Sequence, residues 1–244
     1  MKKLFVLVAA LTLSLGASAQ VFESYSEHTS LEINDWFEVN PLSYIYVGLK
    51  GPANLQDKEF APHTSFGRSQ EFGFNLVELA VHPYRRGTIA VGVDLDWDYY
   101  KLNSEWMWEP YGSDKSLVAS AFVPDGWGKI KQSTLSVMSF NFPVNFTQHF
   151  GSIAISIGAT AELNLPGIHR FRGTDIFGNE VNNRKSGTYF SNNVKTTLFS
   201  YDVHAAVAYG GFGLYFRYSP VAVLASDNPK FNTWTLGLIL GLDM

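Results

Sequence analysis

The chain has 244 residues, a formal net charge of −4 and no cysteine. That length suits one domain or one large β structure. The missing cysteines exclude a disulfide framework, an all-cysteine zinc site and thiol catalysis. Charged residues make up 16%, below the ~25% of soluble domains, and no Lys/Arg cluster points to a nucleic-acid partner.

The N-terminus reads as an export signal. Lys2 and Lys3 precede an apolar run over 4–15, and Ala17-Ser18-Ala19 offers small residues for cleavage before Gln20. A dozen apolar residues are too few for a bilayer span, which needs about 20. Residues 1–19 are therefore expected to be a signal peptide, and 20–41 a periplasmic segment or a lead-in to the first strand. No later stretch is long and apolar enough for a spanning helix.

From there the period is two, the signature of strands. The first strand is expected over 42–50, with faces Ile45/Val47/Leu49 and Tyr44/Tyr46/Gly48 that are hard to tell apart. A second covers 70–83, with Val77, Leu79 and Val81 opposite Glu78, Ala80 and His82. The third sets Ile89, Val91, Val93, Leu95, Trp97 and Tyr99 against Ala90, Gly92, Asp94, Asp96 and Asp98. The fourth covers 131–146, with Phe140, Phe142, Val144 and Phe146 on one face. The fifth sets the odd residues from Ile153 to Leu163 against Ser, Ala, Gly, Thr and Glu. The last three span 194–209, with Phe199, Tyr201, Val203, Ala205 and Val207 outward, 212–224, with Phe212, Leu214, Phe216 and Tyr218 on one face, and 231–242, with Trp234, Leu236, Leu238, Leu240 and Leu242 on one face.

A soluble barrel alternates too, but it turns its apolar face inward. Three features favour a membrane. Several strands are long enough to cross a bilayer at a tilt. Tight turns at 85–87, 148–149 and 210–211 alternate with long connections at 51–69, 103–130 and 166–193, as in outer-membrane barrels. The polar face is small and partly charged, while the apolar face ends in aromatics such as Trp97, Tyr99, Phe146, Tyr209 and Phe212. In hydrocarbon a sheet must close on itself. The expected fold is all-β: a closed antiparallel transmembrane β-barrel of eight strands in an up-and-down meander, in the outer membrane of a Gram-negative-type bacterium.

Four runs carry a family resemblance: Glu71-Phe-Gly-Phe-Asn-Leu-Val-Glu-Leu-Ala-Val-His-Pro83, Val91-Gly-Val-Asp-Leu-Asp-Trp-Asp-Tyr-Tyr100, Phe140-Asn-Phe-Pro-Val144 and Gly213-Leu-Tyr-Phe-Arg-Tyr-Ser219. They resemble small bacterial outer-membrane proteins of the β-barrel domain family, PorT-like group. The resemblance covers roughly 42–242. It implies a fold and a location, and by analogy a part in secretion or envelope assembly.

The inferred lumen carries Glu78, Asp94, Asp96, Asp98, Glu162 and Asp202, with Arg217 as the one clear basic residue facing them. These could form a proton or cation path. An eight-stranded lumen, however, is only about wide enough for side chains, which favours a structural plug. Arg217 is expected to pair with a carboxylate in the layer of Glu78, Asp94 and Glu162, and Asp96 and Asp98 to lie near the solvated outer mouth. Ser200, Asp202 and His204 have the residue types of a triad. Positions two apart on a strand are ~6.8 Å apart, which argues against a relay, so no catalytic residue is assigned. His82, His149 and His169 lack metal-ligand spacing, and neither a metal nor a cofactor is expected. Trp106, Trp108, Trp127, Phe171, Phe177 and Tyr189 in the long connections could grip a partner.

The sequence thus favours a non-enzymatic barrel whose outer loops contact a ligand or partner. Its surroundings would be outer-membrane lipid and lipopolysaccharide, barrel-assembly machinery during insertion, and an envelope protein partner. An accessory barrel of a secretion or envelope-assembly system is the second reading, and an outer-membrane barrel enzyme the third.

Overall fold

The computed structural model describes residues 37–55, 68–101, 107–111, 116–120, 127–182, 193–225 and 231–241. The expected signal segment lies outside them. Every regular element among the described residues is a strand: β1 (Phe37–Pro41), β2 (Tyr44–Leu55), β3 (Ser69–Tyr84), β4 (Gly87–Lys101), β5 (Met107–Tyr111), β6 (Ser116–Ser120), β7 (Trp127–Phe150), β8 (Ile153–Asn164), β9 (Gly167–Asp175), β10 (Glu180–Asn182), β11 (Asn193–Val194), β12 (Phe199–Tyr209), β13 (Phe212–Ser219) and β14 (Phe231–Gly241).

Eight strands close a ring. β2, β3, β4, β7, β8, β12, β13 and β14 each pair antiparallel with the next, and β14 pairs back onto β2 from Phe231↔Leu55 to Gly241↔Tyr44. Neighbours in sequence are neighbours in space, so the barrel is an up-and-down meander with no unpaired sheet edge inside the ring. Three tight turns gather at one end, here the turn end. At Gly210-Gly211 both residues have positive φ (56° and 81°), the conformation that a two-residue hairpin favours. At the opposite loop end β9 takes over from β8 along β7, extending the wall past the ring, and β10 and β11 pair with β9. β5 and β6 form a separate two-stranded ladder.

Some boundaries differ from expectation. The middle turn is Gly151-Ser152, not 148–149: β7 continues through the polar Gln148 and His149 until Phe150 pairs with Ile153, and Gly151 supplies the positive φ. β13 stops at Ser219 rather than at 224, because Pro220 has no N–H for the ladder. The lead-in before 42 is partly strand. β1 pairs with 77–81 of β3, next to the 69–74 stretch that β2 takes. Between β1 and β2, Leu42 adopts a φ of 53°, uncommon for a branched residue.

That break faces a bulge in β3 between Asn75 and Val77. The Asn75 side chain bridges both: its Oδ1 accepts from the Ser43 N–H at 3.3 Å, and its Nδ2 donates to Val77 O at 3.2 Å. A bulge adds one residue and resets the inside–outside alternation. Glu71, Gly73 and Asn75 therefore point inward along with Glu78 and Ala80, although the two sets have opposite parity.

The barrel is packed inside out. Exposed apolar side chains ring the outside on every barrel strand, among them Leu49, Phe72, Val91, Val144, Ile155, Val203, Leu214 and Leu238. Buried inside are Lys50, Glu71, Asp94, Asp96, Asn141, Asp202 and Arg217.

Candidate functional site

The polar lumen is the candidate site, and its two halves differ. In the loop half, the Arg217 guanidinium on β13 meets Glu71 Oε1 at 2.8 Å, Asp96 Oδ2 at 3.2 Å and Asp202 Oδ2 at 3.4 Å. Its other faces lie over the Tyr46 and Tyr215 rings, 5.1 and 5.9 Å from the centroids. The Lys50 ammonium on β2 sits 3.1 Å from Glu71 Oε2 and bonds Asp98. Two cations thus face four carboxylates, and neutral donors serve the remaining oxygens. Thr235 Oγ1 and Tyr215 Oη donate to Glu71, at 2.7 and 3.3 Å. Asn141 Nδ2 and the Trp97 N–H donate to Asp96, and Tyr100 Oη to Asp98. Buried charge on this scale persists only when paired and hydrogen-bonded.

Arg217 is therefore paired, but not with the expected partners. Glu78, Asp94 and Glu162 are outside ion-pair distance of it, and Glu71, Asp96 and Asp202 take their place. Asp94 is held by neutral donors, Tyr44 Oη at 2.9 Å and Asn75 Nδ2 at 2.8 Å. Glu162 accepts from Ser200 Oγ on the adjacent strand. Asp96 and Asp98 are not at a solvated mouth but inside the ion-pair network. Nor is Arg217 the sole cation, since Lys50 faces the same acids.

Lys50 and Glu71 are the residues that sequence reasoning missed. The parity of Lys50 was hidden by a strand with tyrosines on one face and aliphatics on the other. Glu71 was hidden by the bulge, whose signal is readable in hindsight. Phe72, Phe74 and Leu76 alternate in one phase, Val77, Leu79 and Val81 in the other, and the phases collide at the adjacent Leu76 and Val77.

Above this network the loop end is sealed. Tyr100, Leu135, Val137, Leu224 and Phe231 are buried, with the Tyr100 and Phe231 rings edge to face at 5.9 Å. The 219–225 segment folds over them: Thr197 N–H donates to Val223 O at 3.0 Å, Thr197 Oγ1 to Ala222 O at 2.6 Å, and Val223 N–H to Phe231 O at 3.2 Å. The void left there is about 20 Å³, room for one water.

The turn half is built from small residues. Ala80, Ala90, Ala154, Ser156, Ala206 and Ala208 line a cavity of about 220 Å³ whose floor is Tyr46, Tyr215 and Arg217. His204 reaches into it from β12. Its Nε2 donates to Asn145 Oδ1 at 2.6 Å, while Nδ1 lies 3.2 Å from Asp202 Oδ1 and 3.3 Å from Thr160 Oγ1. The His204–Asp202 contact corrects the spacing argument: backbones ~6.8 Å apart still allow two longer side chains to lean together. No nucleophilic relay follows, because acid and hydroxyl share one ring nitrogen instead of opposite ones. Ser200 bonds Glu162 and Asn164 instead.

Glu71, Asp96 and Asp98 place carboxylate oxygens within 4.8 Å of one another, close enough to share a metal ion. The Lys50 ammonium already bonds two of them, and Arg217 bonds Glu71 and Asp96, so this charge is met by the protein's own cations.

Of the loop aromatics, Trp106 and Tyr189 lie outside the described residues. Trp108, Trp127 and Phe171 fall on β5, β7 and β9, with side chains also outside the description. The tip of the β9–β10 hairpin is described. Ile176 and Phe177 stand 63% and 82% exposed. The Asp175 carboxylate accepts from the Phe177 and Asn179 N–H groups and from Asn179 Nδ2, at 2.7–2.9 Å. Those donors, Asn179's side chain foremost, hold the Asp175 carboxyl below its ordinary value.

No protein-family model and no curated protein matches this chain.

Proposed function

We propose that this chain is a non-enzymatic outer-membrane β-barrel whose loop end contacts a partner in the envelope or outside it. One observation carries the reading: all eight barrel strands turn aliphatic and aromatic side chains outward while buried polar and charged side chains, paired in the loop half, face the interior. A soluble barrel with that surface would expose an apolar band far larger than a monomer tolerates. A bilayer is the solvent that suits it, and the closed ladder gives every barrel strand a paired neighbour on each side, as hydrocarbon demands. The short turns would then lie in the periplasm and the longer connections outside.

Occlusion of the loop half argues against a passive pore. Contact is better supported, because Ile176 and Phe177 sit at the tip of a strand extension and are held by the Asp175 turn. Two apolar side chains fixed in water are an unusual feature for a surface hairpin.

The location is tested by fractionation. The protein should stay with outer membranes through salt and carbonate washes and migrate heat-modifiably. Recovery in the soluble periplasm overturns the membrane reading. The role is tested by crosslinking intact envelopes with the Ile176→Ser/Phe177→Ser double variant. Barrel assembly should be unchanged and crosslinked partner lost; equal crosslinking would place contact elsewhere.

A further inference from the structure

The turn-half cavity is left unused by both the ion-pair network and the proposed loop contacts. At about 220 Å³ it is smaller than the ~300–1,000 Å³ of sites for drug-sized ligands, yet has room for several waters. The methyls of Ala80, Ala90, Ala154, Ala206 and Ala208 offer a seat for a small carbon body, among polar neighbours that include Asn145 and His204.

Three carboxylates, Glu38, Glu78 and Asp94, line it, against three imidazoles, His82, His149 and His204, and one guanidinium, Arg217, which is already bound to three carboxylates at the floor. Asp94 is served by Tyr44 and Asn75, and Glu38 lies 3.5 Å from His82 Nε2 at the mouth. Glu78 is different. It has no hydrogen bond or ion pair among the described residues, and the charges acting on it are Asp94 and Glu38, both of its own sign. Glu78 is half-buried on the cavity wall, so a group that enters the cavity can reach it.

From the cavity, the alanine methyls on its wall and the unpaired Glu78, we propose that the turn half of the lumen binds a small organic cation, an aliphatic amine or guanidinium. The carbon body lies against Ala90, Ala154 and Ala206, and the cationic head meets Glu78. A bare metal ion fits less well. Among the described residues the acidic group with metal spacing is Glu71, Asp96 and Asp98, outside this cavity. The inference does not rest on the membrane reading, since the cavity is enclosed by the barrel whatever surrounds it.

The test is calorimetric titration of the folded full chain with cadaverine, using 1,5-pentanediol as the neutral match in length. Cadaverine should bind saturably at one site, with the diol at least about tenfold weaker. Glu78→Gln should weaken cadaverine binding about tenfold, and Ala206→Phe, which fills the cavity, should abolish it. Heat-modifiable migration checks that each variant folds; if Ala206→Phe does not, Glu78→Gln and the diol comparison decide. No saturation by about 10 mM overturns the proposal. So do equal affinities for amine and diol, or unchanged affinity in Glu78→Gln, leaving a cavity that holds water only. Binding retained by a folded Ala206→Phe variant also overturns it, by placing the amine on the outer surface.

Discussion

The two halves of the lumen use the same strands and the same alternation, yet solve different problems. In the loop half the inward positions carry Lys50, Glu71, Asp96, Asp98, Asp202 and Arg217, and a cap of Tyr100, Leu135, Leu224 and Phe231 closes over them. In the turn half alanines, serine and threonines share the inward positions with scattered polar groups such as Glu78, Asn145 and His204, and a cavity remains. A narrow barrel can be filled either by long charged side chains that satisfy one another or by water among short ones. The filled half should carry the stability of the interior, and the hollow half should tolerate change.

The largest break expected in that contrast is Arg217→Met. It leaves Glu71, Asp96 and Asp202 buried without their shared cation and should cost about 3–5 kcal/mol in urea unfolding. Adding Glu71→Gln should recover part of the loss, and a double-mutant cycle reads the coupling. A loss well under 1 kcal/mol would show that the network fills space without holding the barrel.

Next comes the cap. Leu224→Ala should cost about 3 kcal/mol, from lost burial plus the hole left behind. The same measurement would show a negligible effect if the 219–225 segment merely lay across the mouth.

At the boundary between the halves, Gly73→Ala should cost about 1–3 kcal/mol. A Cβ there would lie 2.2 Å from the Tyr46 ring, so the tyrosine must leave its seat. Combining it with Tyr46→Leu should restore much of the loss, whereas a strictly additive pair would place the strain in the backbone.

Smallest is Ala206→Ser on the cavity wall, expected within about 0.5 kcal/mol of the parent. The hydroxyl enters space large enough for water. A penalty as large as that of Gly73→Ala would mean that the turn half is packed, and the contrast would fail.

Much of this architecture was legible in the chain alone. Period-two alternation located all eight barrel strands, and it assigned the faces of β4, β8, β12, β13 and β14 in agreement with their burial. Alternation is a local property of extended backbone, so it survives without knowledge of neighbours. The tight turn at Gly210-Gly211 was legible for the same reason.

What stayed hidden depends on pairing. The bulge at Asn75–Val77 shifts the register of β3 on β4 opposite the break between β1 and β2, and it turns Glu71 inward together with Glu78. Which carboxylate reaches Arg217 depends on depth in the barrel, and depth is fixed by strand register and stagger. Glu78, Asp94 and Glu162 were thus rightly turned inward, yet placed wrongly relative to the guanidinium. The cap over the loop end and the cavity below it are likewise three-dimensional: Leu224 and Phe231 meet Tyr100 and Leu135 across the ring, far apart in the chain. Outside β2 and the bulged β3, the sequence by itself determined which residues face in and which face out, because side-chain direction repeats every two residues along a strand. Only the tertiary structure decided which inward residues meet, because closure of the ring sets the height at which each strand presents them.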